Sequence, residues 1–427
     1  FFWQNENGSR ELFQSFEVTS RPEQGPPRLA ALRNEIKAEG LDGFLVPRAD
    51  VHQGEYVAPH DERLQWLTGF TGSAGFCAAL VGAAGVFIDG RYRTQVKTQI
   101  ADVYTPVAWP EVSLAEWLRE QLPQGGIVGF DPWLHAAAQI EQLNGALEGS
   151  DIEMRRCDNL VDRIWKDQPA PPVQIAKVHP IEFAGESHAD KAARLGKSLR
   201  DCGAAAAVIT LPDSLCWLLN IRGADIARNP VMHGFVVLHG SGNVDLFADP
   251  AKVGQLKPHL GSTVTLHAPE ALLDYVQTLA GPVRLDKATV PVAIADVIAN
   301  RVTWGDDPCA LPKACKNAAE VAGSAAAHLR DGAALVELLA WLDQQPTGTV
   351  TETQVVSRLE DFRSRDNALQ DISFETIAGT GPNGAIMHYR VTKDTDSVLE
   401  DGQLLVLDSG GQYLDGTTDI TRTIAIG

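Results

Sequence analysis

The chain has 427 residues, which is too many for one ordinary domain and predicts about two to four. Its composition, 44% hydrophobic and 21% charged, is that of a globular protein, and its net charge of −19 argues against a nucleic-acid or anionic-membrane partner, which needs clustered Lys and Arg. The six cysteines form no C-x-x-C pair, so we interpret them as buried thiols of a reducing, cytoplasmic compartment rather than as disulfides or a zinc site.

The amino-terminal residues 1–25 are assigned to no domain. The run FFWQNENGSRELFQSF has no Met, no basic segment and no apolar segment of the kind that a secretory signal requires. No apolar run in the chain approaches the ~18 residues that a membrane span needs. We interpret residues 1–25 as an extension, or as sequence left by processing or added for expression, and we leave them out of the fold prediction.

Two later stretches have the same order of predicted elements. Each begins with an amphipathic helix, RLAALRNEIKAEG or ADKAARLGKSLRDCG, and continues with a short β run that ends in Pro47 or Pro212. A Trp-Leu pair, a Gly-containing turn and two hydrophobic strands follow in both. We therefore predict two copies of one α/β domain, each a mixed sheet with covering helices.

Two seams divide the chain. WKDQPAPPVQ, around residues 165–174, separates the repeats, and WGDDPCALPKACKN, around residues 304–317, ends the second one. The predicted domains are residues 26–168, 169–312 and 313–427. The third begins with two helices, the second opened by a Thr cap, and turns to short β runs from ISFETIAG onward, so it differs from the repeats.

The segment GTGPNG, residues 379–384, matches the G-x-G-x-x-G pattern of dinucleotide sites, but such a site requires a helix to begin there. The next residues, AIMHYRVT, instead read as a strand, so we predict a hairpin loop at residues 379–384. His388 lies in that predicted strand. It is either a hydrogen-bonded core residue or, because Asp408 follows 20 residues later on a β run of the same layer, a functional one.

Two aspartates, Asp408 and Asp419, stand out in LDSGGQYLDGTTDITRT, whereas the dipeptide Asp415-Gly416 is typical of a hairpin turn. Asp408 ends an apolar run, where an ionised carboxylate is unfavourable without a partner, and a salt bridge to Arg422 is one possible partner. A two-residue turn would separate Asp408 and Asp419 by roughly 13 Å. A wider connection would make them cross-strand partners with Cβ atoms about 5 Å apart.

The closer arrangement has a chemical consequence. Two facing carboxylates repel each other unless a proton or a cation lies between them, and a dinuclear metal centre with ions about 3.5–4 Å apart suits that spacing. Ligation by oxygen alone favours Mn²⁺, Mg²⁺ or a similar hard ion over a structural zinc.

The motifs resemble those of a known family. GPNGAIMHY and LDSGGQYLDGTTDITRT are similar to sequences of the pita-bread metallopeptidases, which include methionine aminopeptidase, prolidase and creatinase. WLTGFTGSAG, DGRY, WLLNIRGADI and NLVDRIW resemble the three-domain cytosolic Xaa-Pro aminopeptidases (aminopeptidase P). The resemblance extends from about Pro26 to Gly427. It implies two creatinase-N-like α/β domains followed by an α+β pita-bread domain.

The resemblance also implies a function: hydrolysis of the N-terminal Xaa-Pro bond of peptides through a water that bridges two divalent cations, with Mn²⁺ first and Zn²⁺ or Co²⁺ as alternatives, in a cytoplasmic homodimer. Asp408 and Asp419 match metal ligands, and His388 matches the catalytic histidine that binds substrate near the scissile bond. Phe374 resembles the pocket lining for the first substrate residue, although a buried core Phe explains it equally well. Thr421 would orient a ligand carboxylate.

The chain departs from the family pattern after TRTIAIG. The family site has five metal ligands, and a histidine and two glutamates on later strands complete the set. His328, Glu337 and Glu352 lie on helix-like segments and do not replace them. We therefore expect the 427 residues to be part of a longer protein, with an open sheet edge and little or no activity by themselves. The alternatives are a prolidase- or creatinase-like hydrolase, which the doubled repeat disfavours, and a non-catalytic binding protein of the same fold.

Overall fold

The structure, a computed structural model, describes residues 12–427. The chain forms two compact units, which we call the repeat unit and the C-terminal unit. The repeat unit contains Ser20–Ile181 and Glu186–Cys315. The C-terminal unit contains the described residues up to Thr19, Glu182–Gly185 and Lys316–Gly427. Both predicted repeats therefore belong to the repeat unit.

The first repeat folds around a six-stranded mixed sheet. Its strands are β1 (Gly43–Pro47), β2 (Phe76–Leu80), β3 (Ala84–Ile88), β4 (Thr105–Ala108), β5 (Gly126–Phe130) and β6 (Ile152–Arg156). Its helices are α1 (Gly25–Ala38), α2 (Arg63–Thr68), α3 (Val96–Gln99), α4 (Leu114–Gln121), α5 (Ala137–Leu147) and α6 (Leu160–Ile164). The spatial order is β4-β3-β2-β1-β5-β6, antiparallel at β1–β2 and β2–β3 and parallel elsewhere. The first predicted helix is confirmed as α1.

The second repeat has the same architecture. Its strands are β7 (Lys177–Val178), β8 (Ala206–Ile209), β9 (Ile221–Arg222), β10 (Phe235–His239), β11 (Val244–Phe247), β12 (Val264–His267), β13 (Val283–Leu285) and β14 (Val302–Trp304). After β7 the chain forms α7 (Ile181–Ala184), most of which belongs to the C-terminal unit. The helices of the second repeat are α8 (His188–Asp201), α9 (Pro212–Leu219), α10 (Pro250–Val253), α11 (Lys257–Leu260), α12 (Leu272–Thr278), α13 (Val292–Ile298) and α14 (Ala310–Ala314). The large sheet has the order β12-β11-β10-β8-β13-β14, and β7 pairs separately with β9.

The two large sheets match strand for strand, with antiparallel pairs in the same two places. The prediction of two copies of one α/β domain is therefore confirmed. Trp66 and Trp217 both lie on the helix that follows the first strand, α2 in one repeat and α9 in the other. One detail differs from the prediction: Pro212 begins α9, where a missing N–H costs nothing, rather than ending a strand.

Both faces of each sheet are covered, which explains why the strands read as continuous apolar runs rather than as alternating ones. On the first sheet Phe44 and Val86 belong to one core and Leu45 and Phe87 to the core on the opposite face. The second sheet likewise separates two cores. Within residues 12–427, no helix combines the length and the apolar character that a membrane span requires.

All six cysteines are free thiols, as predicted. Cys77, Cys216 and Cys309 are buried, and burial raises the pKa of Cys77 to about 12 and that of Cys216 to about 11, so both are inert. The prediction of burial is wrong for Cys202 and Cys315, which are exposed in helix-terminal positions where the chain turns outward.

The C-terminal unit consists of two long helices and a β layer, as predicted. The helices are α15 (Ala318–Leu342) and α16 (Glu352–Arg363). The strands are β15 (Asp371–Ile372), β16 (Ile377–Thr380), β17 (Leu404–Ser409), β18 (Gly411–Gln412) and β19 (Ile420–Ala425). β16, β17 and β19 form one antiparallel sheet, and β15 pairs with β18. The predicted Thr cap is Thr351, whose N–H donates to the side chain of Gln354 at 3.0 Å.

The strand predicted for AIMHYRVT is wrong. Gly381–Ala385 forms a 3₁₀ turn, and His388 lies in a following turn with a left-handed backbone, φ 54°. The cause is a buried carboxylate: Glu352 Oε2 accepts from the Tyr389 hydroxyl at 2.9 Å and from the Asn383 amide at 3.1 Å. These bonds fold the segment back onto α16, which a strand could not do. His388 and Asp408 therefore do not lie on two strands of one layer.

The connection between β17 and β19 spans ten residues, 410–419, and contains a tight turn of its own. Asp415 lies in that turn, as predicted, but Thr417 pairs with Gln412 rather than with Leu414. Asp408 pairs directly with Thr421. The predicted direct pairing of Asp408 with Asp419 is therefore wrong, and the two lie diagonally across the strands. The extra residues that loop out at Gly410–Gln412 to pair with β15 account for the shift in register.

Candidate metal centre

Asp408 lies near the end of β17 on the face that is turned away from the buried core. Leu405 and Leu407 are fully buried, whereas Val406 and Asp408 between and after them are half-buried. This alternation is what a strand with one covered face requires. Asp419 is exposed and immediately precedes β19, the outer strand of the sheet. Asp419, before the outer strand, thus lies beside Asp408 on the central strand.

The two carboxyl groups are close to each other. Burial raises the pKa of Asp419 first, and the neighbouring carboxylate of Asp408, within reach to share a proton, raises it further. Asp408 Oδ1 also accepts a hydrogen bond from Thr421 Oγ1 at 2.8 Å, the contact that the sequence predicted for Thr421. Arg422 donates to the Thr421 carbonyl at 2.7 Å instead, and no ion pair in the described part of the chain joins it to either aspartate.

A buried ion pair fixes the strand next to Asp408. Arg363 on α16 holds Asp331 on α15 through two bonds, of 2.7 and 2.9 Å, and its second amino group donates to Ser409 Oγ at 3.0 Å. The Tyr413 hydroxyl completes the network by donating to Asp331 at 2.8 Å. Because the ion pair is almost fully buried and its oxygens are bonded, loss of one partner should cost about 3–5 kcal/mol.

The turn that separates β17 from β19 rests directly on α15. Arg330 pairs with Asp415 at 2.5 Å. A Cβ at Gly323 would lie 2.4 Å from the Asp415 carbonyl oxygen, so only glycine permits this close approach. Small residues in the Ala-rich run of α15 therefore have a structural purpose, which is to let the loop that carries Asp419 pack against the helix.

His328 is a residue near the centre to which the sequence assigned no role. It is exposed on α15, and its electrostatic interaction with Asp419 opposes the rise in the pKa of that carboxyl. The sequence does contain a signal for its position on the helix. Gly323, Ala327 and Asp331 form the buried face of α15, and His328 lies next to that face. Proximity to the loop itself could not be predicted without the tertiary structure.

The donor set suits a hard divalent cation in part. Two nearby carboxylates are oxygen ligands of the kind that Mn²⁺ and Mg²⁺ prefer, and a cation would relieve their repulsion. Among residues 12–427, however, no group of three or more His, Cys, Asp or Glu side chains is arranged to hold a metal ion. The described residues therefore bring together two candidate oxygen ligands, fewer than a complete metal site contains.

The other two predicted site residues lie on loops. His388 is exposed in the turn after the 3₁₀ segment, and that segment packs against β16 and β17. Phe374 lies in the bend between β15 and β16 and is half-buried, rather than deep in a core. Both loops adjoin β16, whose first residue, Ile377, pairs with Asp408. Their substrate roles remain predictions.

Comparisons with known families divide the chain into three matches. Residues 28–164 and residues 167–320 match two models described as the Creatinase/Prolidase N-terminal domain. Residues 314–427 match the model described as Metallopeptidase family M24. The carboxylate pair thus lies in the segment that resembles a metallopeptidase.

Similar proteins are known over nearly the whole chain. A probable Xaa-Pro aminopeptidase P of Coccidioides posadasii is 37% identical, with 99% of this chain and 67% of the relative aligned. The corresponding protein of Aspergillus niger is 35% identical over 94% of this chain and 68% of its own length. Among solved structures, the X-prolyl aminopeptidase of Caenorhabditis elegans, described as a cytosolic enzyme with a di-nuclear active site, superposes with a TM-score of 0.89 at 29% identity, covering 94% of this chain and 69% of that one.

Proposed function

The chain belongs to the Xaa-Pro aminopeptidase family of M24 metallopeptidases, and from this membership we propose that it removes the N-terminal residue from peptides whose second residue is proline. The observation that carries the proposal is the close approach of the Asp408 carboxyl on the central strand and the Asp419 carboxyl before the outer strand. The two carboxyl groups lie diagonally across the strands, and the charge of Asp408 acts directly on Asp419. Such a pair is suited to bind cations.

Asp408 and Asp419 would hold two divalent ions, for which we propose Mn²⁺ with Zn²⁺ or Co²⁺ as alternatives. The chemistry available from ions at such a centre is polarisation of a carbonyl and acidification of a water. Thr421 fixes the rotamer of Asp408 through its hydroxyl, so that the carboxylate needs little reorganisation to bind. Arg363, through Ser409, fixes the strand on the opposite side.

The substrate assignment follows from the chemistry of proline. An Xaa-Pro bond has no amide N–H and a fixed φ, so a site that recognises ordinary peptides by that N–H cannot bind it productively. We propose that His388 contacts the substrate near the scissile bond and that Phe374 lines the pocket for the first residue. Their positions on two loops that adjoin β16 support this proposal, because substrate-binding residues commonly lie on loops held by a rigid sheet.

The similar proteins favour an aminopeptidase over the prolidase- or creatinase-like alternative. The relatives named Xaa-Pro aminopeptidase align with this chain over both α/β repeats as well as over the carboxylate segment. The alternative of a non-catalytic binding protein is an outcome of the tests below. We further propose a homodimer in the cytoplasm.

Metal binding by the 427-residue chain tests the first part of the proposal. Isothermal titration with MnCl₂ should give weak binding, because the described residues bring two carboxylates together rather than five ligands. Asp408→Asn should abolish that binding. Asp394→Asn is the matched control, since it removes an exposed carboxylate of the same unit and should leave the binding unchanged. Equal binding by wild type and Asp408→Asn would contradict the assignment.

Activity tests the second part. We expect the 427-residue chain with Mn²⁺ to show little or no turnover of an Xaa-Pro peptide. A polypeptide that also contains a histidine and two glutamates on later strands should hydrolyse it in a metal-dependent manner. In that polypeptide Asp408→Asn should lower kcat/KM by about 10³-fold or more. Metal-independent turnover, or none under any metal, would favour the non-catalytic alternative.

A further inference from the structure

A segment at the start of the described chain packs on the C-terminal unit. We call Phe13–Thr19 the strap. Within the strap, the Gln14 side chain is 97% buried and makes two bonds to the main chain of Thr376: its Nε2 donates to the Thr376 carbonyl at 3.2 Å, and its Oε1 accepts from the Thr376 N–H at 2.7 Å. A side-chain amide that satisfies both backbone groups of one residue acts as a strand partner would. Thr376 lies directly before β16.

The main chain of the strap has an acceptor of its own. Glu360 on α16 is buried, and its two carboxylate oxygens accept from the N–H groups of Phe13, at 2.6 Å, and Gln14, at 3.3 Å. Hydrogen bonds to a buried carboxylate are among the stronger ones in proteins. The strap is therefore attached to the rigid helix on one side and to the bend before β16 on the other.

The strap also contacts the loop after the 3₁₀ segment. The Arg390 guanidinium donates to the Ser15 carbonyl at 3.4 Å, and the Lys393 N–H donates to the Phe16 carbonyl at 2.9 Å. Arg390 in turn pairs with Glu375 at 2.5 Å, which joins this loop to the bend. The Phe16 side chain packs against the core of the unit.

The two loops that the strap joins are those of the proposed substrate residues. Thr376 is two residues from Phe374, and Arg390 is two residues from His388. The strap bonds to neither proposed metal ligand among the contacts described above. Its contacts fix the separation of the two loops, whereas α15, α16 and β19 position the carboxylate pair.

We propose that the strap is a positioning element for the substrate site, and that Gln14 is the positioning residue that sets the distance between the Phe374 and His388 loops. This inference rests on the proposed function, and it extends the proposed site to a segment that is separated from it by more than 350 residues of chain. A displacement of about 1 Å in a substrate-contacting loop can change catalysis by up to about a hundredfold. Disruption of the strap should therefore affect substrate use more than metal binding.

Hydrogen exchange tests the attachment on the 427-residue chain without any assay of activity. In Gln14→Ala, amides of residues 374–378 and 386–393 should exchange about tenfold faster, while those of β17 and β19 change less than about twofold. Glu360→Gln, which keeps the shape of the side chain, should accelerate the same two segments to a smaller degree. Unchanged exchange in both segments for both variants would overturn the proposal, and so would equal acceleration throughout the C-terminal unit.

Kinetics test the positioning role in a polypeptide that has the full ligand set. Gln14→Ala should raise KM for Xaa-Pro peptides about tenfold, with a smaller change in kcat and an unchanged metal content. Gln255→Ala is the matched control, because the Gln255 amide also donates to main-chain carbonyls, those of Ala176 and Lys252, but lies in the repeat unit. A KM shift equal to the control's would overturn the role of Gln14. A wild type that ignores Xaa-Pro peptides would overturn the proposed function and the substrate role with it, while the exchange result would still decide whether the strap is attached.

Discussion

The two six-stranded sheets share one topology but differ at one corner. Phe87 of β3 and Phe247 of β11 each pair with a Phe on the preceding strand, which aligns the two hairpins. Two residues earlier, the first sheet has Gly85 and the second has Asp245. The same place in the same fold is thus occupied by the smallest residue in one repeat and by a carboxylate in the other.

In the first repeat the corner is apolar. The Trp117 ring covers Gly85 so closely that a Cβ there would lie 3.0 Å from it. Val107, which pairs with Phe87 from β4, fills the neighbouring space and is 6% exposed. The ring of Trp117 also meets Phe87 edge-on, with centroids 5.6 Å apart. Nothing polar is required there.

In the second repeat the corresponding positions are polar. Tyr275, like Trp117 the fourth residue of its helix, donates its hydroxyl to Asp245 at 2.5 Å. His267 pairs with Phe247 as Val107 pairs with Phe87, and its Nε2 lies 2.6 Å from the Asp245 carboxylate. The Nε2 of His239 lies at the same distance from that carboxylate. Burial would raise the pKa of Asp245, but the bonds from Tyr275, His267 and His239 together lower it.

The two repeats show that strand order and pairing depend on the apolar pattern of the strands. An individual position in a strand can be apolar in one repeat and polar in the other, provided that the residues in contact with it differ as well. At Gly85 the Trp117 ring fills the space, and at Asp245 three donors satisfy the carboxylate, so neither corner has a cavity or an unpaired group at that position. A mixture of the two should be unfavourable, because it would bury a carboxylate with too few donors or leave donors without an acceptor.

The largest expected effect is that of Gly85→Asp, which places the carboxylate of the second repeat in the apolar corner of the first. Val107 has no donor and Trp117 has a single indole N–H, whereas three donors surround Asp245, and the new Cβ meets the Trp117 ring. We expect a loss of about 4 kcal/mol in the free energy of unfolding, measured by urea denaturation with tryptophan fluorescence at pH 7. Gly82→Asp is the control: position 82 is open, so the change should stay below about 0.5 kcal/mol. Equal losses for the two variants would show that the corner is not special.

A smaller effect is expected for Asp245→Asn, which keeps the shape but removes the charge. Three hydrogen bonds to a carboxylate become bonds to an amide that must itself donate, so the loss should be about 2 kcal/mol at pH 7. The folded pKa of Asp245 is lowered, so its contribution is present above the unfolded value of about 3.9 and is lost as pH falls through the folded value. The gap between variant and wild type should therefore shrink below about pH 4. A gap that grows on acidification would contradict this account.

The smallest effect is expected for Tyr275→Phe, which makes one residue of the polar corner apolar, as its counterpart is in the first repeat. Asp245 loses one donor but keeps both histidines, so the loss should be about 1 kcal/mol. The same denaturation measurement checks it. In the Asp245→Asn background Tyr275→Phe should lower the free energy of unfolding by less, because the negative charge to which the hydroxyl donates is absent. A double-mutant cycle measures the difference. Full additivity would indicate that the hydroxyl does not act through Asp245.

The sequence was sufficient where the determinants are local. The apolar runs and the helices before them predicted both repeats, and Asp415-Gly416 predicted a turn, because each depends on residues within a few positions. The prediction of a strand through His388 failed because Glu352, more than 30 residues earlier, anchors that segment through Tyr389 and Asn383. Local alternation of apolar residues gives no warning of such a distant polar anchor.

The candidate centre was predictable in composition but not in geometry. The residues around Asp408 and Asp419 pointed to a carboxylate pair, and Thr421 was foreseen as its neighbour. The register was not, because it depends on residues 410–412 leaving β17 to pair with β15. The ion pair of Asp331 with Arg363 and the strap were missed for a similar reason: their partners are 32 to more than 340 positions apart.

The strap has a consequence for the order of events during synthesis. Gln14 is translated 362 residues before its partner Thr376. At about 5–20 residues per second the ribosome needs roughly 20–70 s to cover that distance, long after a domain such as the first repeat can fold. Through that interval the strap, with two phenylalanines, lacks its contacts with Thr376, Arg390 and Lys393. The strap's bonds to Thr376, Arg390 and Lys393 therefore form only after those residues have been translated, and a chaperone that binds short apolar peptides has tens of seconds in which to hold the strap.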